Sequence, residues 1–234
     1  MVEPEDRWDG VPVFATGFAI LFFCTAYLLF GRRDFFMLLN ANGQLGLDAA
    51  VWGGPYQCAA AVAALLLPAL LLARLYLKIP FAAMGFALGN WKLGLSVALP
   101  VSVLAFPVMW LATDRLSPLC GFYPLSGMAR DGVAGMAAWL ACYAVYYIAW
   151  EGLFRGVIQL GLKNHLGVLQ CMLLQTALST LLHAGHPEME TFGALVAGPL
   201  FGLLALRTGS IYYVLLLHFA LGAATDIACV GATA

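Results

Sequence analysis

The chain has 234 residues, of which 63% are hydrophobic and 10% are charged, with a mean hydropathy of +0.90 and a formal net charge of −1. Soluble globular chains carry roughly 25% charged residues, so this composition excludes a water-soluble domain and indicates that lipid is the main solvent. The apolar and aromatic content also excludes a disordered chain. The lack of a basic stripe excludes the usual mode of nucleic-acid binding.

The first ten residues are acidic, with four Asp or Glu residues and a single basic residue, Arg7. A cleavable signal peptide has a basic start and a short apolar core. The apolar run that follows, 11–30, is therefore expected to remain in the protein as a membrane anchor.

Seven apolar runs approach the length of a membrane-spanning helix, which is about 20 residues. They are 11–30, 57–77, 93–112, 133–160, 167–183, 192–206 and 211–230. Continuous apolar runs exclude the alternating pattern of a membrane β-barrel, and helices are the other structure that spans a bilayer. We predict an all-α polytopic membrane bundle of about six to eight transmembrane helices, with 1–234 as a single membrane domain.

The connecting segments are short, and their charges bear on orientation. Segment 78–91 is too mixed to span, so it is expected either to lie along the membrane interface or to form a plain loop. Alternate loops divide the basic residues six against four: Arg7, Arg74, Lys78, Lys92, Lys163 and Arg207 against Arg32, Arg33, Arg115 and Arg130. The positive-inside rule then favours a cytoplasmic N-terminus.

The six cysteines are dispersed, mostly within apolar runs. None forms a C-x-x-C pair or a Cys/His pair with the spacing of zinc ligands. We therefore expect them to act as small apolar residues, without a disulfide framework or a structural metal site.

Ionisable residues inside the apolar runs are the most informative feature of the sequence. A charged group in a bilayer costs a few kcal/mol or more unless it faces the protein interior or a wet cavity. Glu151 and Arg155 lie four residues apart in run 133–160, so they share one helix face and can pair. Such a pair can serve catalysis, or it can only tie helices together.

Later runs add two further sets of ionisable groups. His183 ends the fifth run and is followed by His186 and Glu190; a histidine at a helix end is often an interfacial anchor or a cap. His218 lies within the last run and has no polar partner within one turn of its own helix, so we expect its partner on another helix. Asp226, eight residues further on, lies either inside the membrane or near the interface.

A carboxylate and two imidazoles that converge in a dry bundle can activate a water for amide hydrolysis, because the carboxylate takes the proton and a donor steadies the oxyanion. A proton or ion relay uses the same residue types. Composition and spacing leave both alternatives open.

The chain carries Glu-x-x-Phe-Arg-Gly at 151–156, a histidine at the end of the next run, a Thr-Gly-Ser-Ile turn at 208–211 and a histidine in the last run. In this order the motifs resemble the CAAX prenyl endopeptidase and bacteriocin-processing proteins, also called the Abi family. The motifs of that family are E-E-x-x-x-R, F-x-x-x-H and H-x-x-x-N. The resemblance implies a protease core at about 133–230.

The match is carried by Glu151, Arg155, His183 and His218. Three positions depart from the family pattern: Trp150 replaces the first Glu, Ser179 replaces the Phe, and Gly222 replaces the Asn. The first Glu is the usual water-activating residue of the family, so Glu151 would have to take that role. Asp226, one turn after Gly222, is a candidate for the missing polar group. The chain therefore looks like a diverged member.

The resemblance implies a membrane-embedded endopeptidase in which a glutamate-activated water attacks a peptide bond near the membrane. The implied catalytic residues are Glu151, His183 and His218, and the supporting residues are Arg155, Asp226, His186 and Glu190. We expect no cofactor; a zinc ion on the three catalytic residues is the alternative. H-E-x-x-H is missing, which favours the metal-free mechanism.

The expected partners are membrane lipid and a peptide or protein substrate, with lipidation of the substrate left open, and no nucleic acid. The family implies a multi-pass protein of the bacterial inner membrane. Two other functions stay open: a catalytically inactive relative that acts as a binding or immunity protein, and a small proton-coupled carrier.

Overall fold

The computed structural model describes residues 10–113 and 117–232. Over this part of the chain the regular structure is helical and no strand occurs, which confirms the predicted all-α bundle. Within these ranges, six helices are long and apolar enough to cross a membrane: α1 (Val11–Gly31), α3 (Ala49–Tyr76), α4 (Trp91–Thr113), α6 (Gly132–Gly161), α9 (Glu188–Thr208) and α10 (Tyr212–Ala232). Shorter helices are α2 (Arg33–Leu39), α5 (Ser117–Phe122), α7 (Lys163–Leu166) and α8 (Val168–Leu182). The predictions for Arg7 and Arg115 lie outside the described residues.

Two of the long helices begin earlier than their apolar runs, because polar residues start them. α3 begins after Asp48, whose carboxylate accepts hydrogen bonds from the amides of Ala50 and Val51 at 2.8 and 3.3 Å. α9 begins at Glu188 directly after a proline, and acidic residues are favourable in the first turn of a helix. Hydropathy alone places such starts too late.

One end of the bundle, here called the lysine end, is formed by segments 77–91, 161–167 and 208–211. The amide of Asn90 donates to the carbonyl of Thr208 at 2.8 Å, and the amide of Ile211 donates to the carbonyl of Gly85 at 3.1 Å. Segment 78–91 is a loop with one 3-10 turn, and its Met84 is fully buried against α6. These contacts join the ends of α3, α6 and α9 to the starts of α4 and α10.

The opposite end, here called the disulfide end, is formed by segments 32–48, 117–131 and 183–187. A guanidinium nitrogen of Arg33 donates to the carbonyl of Pro124 at 3.4 Å, and the hydroxyl of Ser126 donates to the carbonyl of Val51 at 2.5 Å. The guanidinium of Arg32 donates to the carbonyl of Ala184. The loops of this end therefore hold one another in place.

A disulfide joins Cys120 on α5 to Cys229 on α10, across 109 residues of sequence. The expectation that no cysteines pair was wrong for these two. The cause is that pairing depends on the proximity of Cα atoms, here 5.1 Å, which sequence spacing over such a distance does not reveal. Four other cysteines are free: Cys24, Cys58, Cys142 and Cys171.

Helix α6 changes its hydrogen-bonding pattern at the predicted site. It is α-helical up to Glu151 and π-helical from Gly152 to Gly161. Wide turns of this kind occur frequently at functional sites. A Cβ atom at Gly152 would lie 2.5 Å from a methyl group of Leu66, so neighbouring elements pack closely on the wide turn.

Candidate active site

A buried ion pair and a histidine form the centre of the site. A guanidinium nitrogen of Arg155 donates to Oε1 of Glu151 at 3.1 Å, as their spacing predicts. The same oxygen accepts a hydrogen bond from Nδ1 of His218, which lies 2.6 Å away on α10. Glu151 is 0% exposed and Arg155 is 2% exposed. The prediction that His218 has its partner on another helix is confirmed, and that partner is Glu151.

A second carboxylate, Glu190, lies in the first turn of α9. Its Oε1 accepts hydrogen bonds from the hydroxyl of Tyr123 at 2.7 Å and from Nδ1 of His186 at 2.9 Å. Burial and the neighbouring carboxylate raise the pKa of Tyr123 well above its usual range, so its hydroxyl stays a donor. Oε2 of Glu190 is buried and has no hydrogen-bond partner within the described chain. Glu190 therefore keeps one oxygen available to accept a proton.

His183 follows the last residue of α8 and faces Glu190. Its Nδ1 lies 2.7 Å from the carbonyl oxygen of Ser179, which can only accept, so Nδ1 carries the hydrogen. Burial lowers the pKa of His183 to about 4, which keeps the ring neutral near pH 7 with a lone pair on Nε2. Nε2 is 3.8 Å from Oε1 of Glu190, too far for a direct hydrogen bond. A water molecule between them could donate one hydrogen bond to Nε2 of His183 and another to Oε1 of Glu190.

Two neighbouring cavities lie beside these residues. The larger has a volume of about 340 Å³ and is lined mainly by apolar and aromatic side chains, together with Arg155, His183, Glu190 and His218. The smaller, of about 20 Å³, has room for a single water molecule and is lined by His183, His186, Glu190, His218 and several tyrosines. The two cavities share seven lining residues: Tyr123, Tyr143, Tyr147, Trp150, His183, Glu190 and His218.

Aromatic side chains occupy the two positions where polar motif residues are missing. Trp150, in place of the first motif Glu, packs edge-on against His183 with ring centroids 5.0 Å apart. At Gly222, in place of the motif Asn, a Cβ atom would lie 2.0 Å from the hydroxyl oxygen of Tyr147. The Tyr147 hydroxyl thus fills the space that a side chain at position 222 would need.

Asp226 does not supply the missing polar group. It is 0% exposed, and its Oδ2 accepts a hydrogen bond from the indole of Trp139 at 2.5 Å. Of the two positions that the sequence leaves open for Asp226, inside the membrane or near the interface, the structure gives the buried one. The reason is that α10 continues past this residue to Ala232 and buries it against α6.

Sequence reasoning missed Tyr123 and Tyr147 as site residues. Tyr147 belongs to a set at helical spacing, with Tyr143, Tyr146 and Trp150, that turns one face of α6 toward the cavities. That periodicity was a readable signal. Tyr123 lies in the loop after α5, outside all three motifs, so no sequence pattern marked it.

A catalytic zinc ion would need three ligands, here Glu151, His183 and His218. Across the described ranges, no three His, Cys, Asp or Glu side chains lie close enough together to hold a metal ion. Nδ1 of His183 is bound to Ser179, and Nδ1 of His218 is bound to Glu151. In this arrangement these residues do not form a three-ligand set. Metal dependence stays a prediction that chelation tests.

Six membrane-length helices and a polar site buried among them define an integral membrane protein. Residues 132–224 match the family described as Rce1-like, type II CAAX prenyl endopeptidase Rce1-like. This match covers less than half of the chain; it confirms the family resemblance and supports a CAAX-type membrane protease function. No curated protein and no solved structure gave a significant match to the chain.

Proposed function

We propose that the chain is a membrane-embedded endopeptidase that hydrolyses a peptide bond in the larger cavity. The observation that carries this proposal is the water-sized cavity lined jointly by His183, Glu190 and His218. These residues come from three separate parts of the chain, and purely structural roles would not require that they share a small polar space. The resemblance to a family of proteases supports peptide-bond hydrolysis as the chemistry of this site.

In the proposed reaction, a water in the smaller cavity attacks the carbonyl carbon of the substrate. Oε2 of Glu190 accepts one proton of the water, while Nε2 of His183 accepts a hydrogen bond from the other. The tetrahedral intermediate carries a negative oxygen. When it collapses, the C–N bond breaks and the proton passes from Glu190 to the leaving amine, so the products are a new carboxyl terminus and a new amino terminus.

Glu151 receives a positioning role in this proposal. Its Oε1 is already shared by Arg155 and His218, and it is not among the residues that line either cavity. By holding Nδ1 of His218 it turns Nε2 toward the cavity. When the ring carries both protons, Nε2 donates to the oxyanion and Glu151 compensates the charge of the ring. The sequence-based assignment of Glu151 as the base stays a competing prediction.

The two other functions, a binding or immunity protein and a proton-coupled carrier, would require different features of the site. A binding or immunity protein descended from the family is favoured by the replacement of two motif residues by Trp150 and Gly222. Glu151 would then be expected to pair only with Arg155, whereas it also bonds His218. A carrier needs a polar path to both membrane faces, and no residue of the lysine end lines either cavity in the described part of the chain.

The test is cleavage of a peptide library by the purified protein in detergent, with products read by mass spectrometry. Glu190→Gln should lower the rate about 10²- to 10⁴-fold, the usual contribution of a general base. Glu190→Asp keeps the carboxylate and should retain part of the rate. Glu151→Gln should leave more residual activity than Glu190→Gln, because Gln can still accept a hydrogen bond from His218.

The matched control is Glu188→Gln in the same helical turn, which should cleave like the unmodified protein. Loss of activity in Glu151→Gln with full activity in Glu190→Gln would show that Glu151 is the general base. An unmodified protein that is folded but cleaves no peptide would favour the binding protein. Activity that survives chelation would support the metal-free mechanism, and loss that zinc restores would contradict it.

A further inference from the structure

Trp150 carries a buried hydrogen-bond donor that no protein group accepts. Its side chain is 2% exposed, and within the described ranges its indole Nε1 has no hydrogen-bond partner. An indole N–H can only donate, and the large majority of buried polar groups in proteins have a partner. The unpaired N–H of Trp150 therefore requires an explanation in the site around it.

The ring of Trp150 is held in place beside the two cavities. Its centroid lies 5.7 Å from that of Tyr146 and 4.8 Å from that of Phe154, both one turn away on α6. Its contact with His183 is edge-on. The side chain lines the larger cavity and the smaller one. Trp150 is thus a fixed wall of the space that holds the water of the proposed reaction.

The smaller cavity brings this donor together with two unused acceptors. Oε2 of Glu190 is buried without a partner in the described chain. Nε2 of His183 carries a lone pair, because Nδ1 donates to the carbonyl of Ser179. Both residues line the smaller cavity together with Trp150. One water molecule there can donate a hydrogen bond to each acceptor and accept one from the indole N–H, which is a usual number of partners for a buried water.

Trp150 differs from its polar neighbours in that its proton is permanent and unshared. The hydroxyl of Tyr123 already donates to Glu190. Nδ1 of His186 and Nδ1 of His218 each bond a carboxylate oxygen, so Nε2 of either ring is an acceptor whenever that ring is neutral. The N–H of Trp150 is a donor at every pH at which the protein is folded.

We propose that the indole N–H of Trp150 donates to the oxygen of the attacking water and fixes its orientation. This role rests on the proposed endopeptidase function. Glu190 and His183 hold the two hydrogens of the water, and Trp150 holds one lone pair, so the second lone pair is the one that attacks the substrate carbonyl. Trp150 transfers no proton. In this chain, position 150 orients the water, and the carboxylate that takes its proton lies on α9.

Kinetics on a peptide that the purified protein cleaves provide the first test. Trp150→Phe keeps an aromatic ring beside Tyr146 and Phe154 and removes the N–H. We expect kcat to fall about 3- to 10-fold, the value of one hydrogen bond, while KM stays unchanged because the lost bond is to the water. Trp52→Phe, at an exposed position of α3 outside both cavities, is the matched control and should cleave like the unmodified protein.

Benzothienylalanine at position 150 separates the effect of the N–H from the effect of ring size. This analogue keeps the two-ring shape of tryptophan and carries sulfur in place of the N–H. It should lower kcat as Trp150→Phe does, and the same analogue at position 52 should have no effect. Full activity of the analogue at position 150 would overturn the proposal. A rise in KM with unchanged kcat would also overturn it, because the N–H would then bind the substrate.

The indole proton of Trp150 reports the same bond without any measurement of activity. Its NMR signal in detergent micelles is assigned by its loss in Trp150→Phe. It should show a rotating-frame cross-peak to water with the sign of direct contact, which differs from the sign of exchange. Glu190→Gln should shift this signal because one water bonds both groups, and Glu188→Gln should leave it in place. An indole proton without contact to water would overturn the proposal.

The role of Trp150 and the endopeptidase function can fail separately. Inactive Glu190→Gln with fully active Trp150→Phe would support the endopeptidase and contradict the role of Trp150. A folded protein that cleaves no peptide, but whose indole proton contacts water, would contradict the endopeptidase and support only the binding of water by Trp150.

Discussion

At the scale of single residues, the Arg155–Glu151 pair makes the site sensitive to the loss of one charge. Both side chains are almost fully buried, so Arg155→Ala would leave the Glu151 carboxylate without its guanidinium partner. Breaking a buried pair in this way costs about 3 to 5 kcal/mol. We expect a clear fall in the midpoint of thermal unfolding in detergent, followed by circular dichroism.

Arg74→Ala, which removes an exposed arginine from the lysine end, is the matched control and should leave the midpoint unchanged. The double variant Arg155→Met with Glu151→Gln removes both charges and should recover part of the loss. A midpoint in Arg155→Ala equal to that of the unmodified protein would show that the pair does not stabilise the fold.

The site also shows how far single residues are predictable from sequence. Glu151 and Arg155 are predictable as a pair because both lie on one helix face, one turn apart. The contacts of Glu190 depend on Tyr123, which is 67 residues away and lies in a loop. Tertiary packing determines whether two such segments approach each other. The periodicity within a helix does not predict that approach.

At the scale of elements, Gly222 allows a close approach of helix α10 to α6. The hydroxyl of Tyr147 occupies the position that a side chain would need there. Gly222→Ala should therefore lower the thermal midpoint, since overpacking costs about 1 to 3 kcal/mol. Gly17→Ala in α1 is the control, because a Cβ atom there would meet no neighbouring atom within 4 Å.

An alanine in place of a helix glycine is otherwise stabilising by about 0.5 to 1 kcal/mol, so Gly17→Ala should leave the midpoint equal or raise it. A Gly222→Ala protein as stable as the control would mean that Tyr147 moves aside readily. In that case the position would tolerate the polar residue of the family motif.

The long helices were predictable as elements because lipid requires continuous apolar runs, and the described part of the chain forms six such helices. The polar residues at which α3 and α9 begin were not predictable from hydropathy. The change to π-helical turns after Glu151 was likewise invisible in the sequence. It depends on the close approach of Leu66 and segment 78–91 to the glycines of α6.

At the scale of the whole molecule, the two ends of the bundle differ. Loops and a disulfide hold one end together, and turns that carry basic residues form the other. The Cys120–Cys229 bond holds α5, and with it the segment that carries Tyr123, to the end of α10. Its two cysteines are separated by 109 residues, so the bond constrains a large part of the unfolded chain. The disulfide therefore connects the stability of the bundle with the placement of the Tyr123–Glu190 contact.

Removing both cysteines should thus lower the stability of the whole bundle. We expect the double variant Cys120→Ser with Cys229→Ser to lose about 2 to 4 kcal/mol, measured as a lower thermal midpoint in detergent. A reducing agent should lower the midpoint of the unmodified protein in the same way and leave the double variant unaffected, because its effect acts through this bond. An equal response of both proteins would show that the reducing agent acts on other groups. That result would contradict the stabilising role of the disulfide.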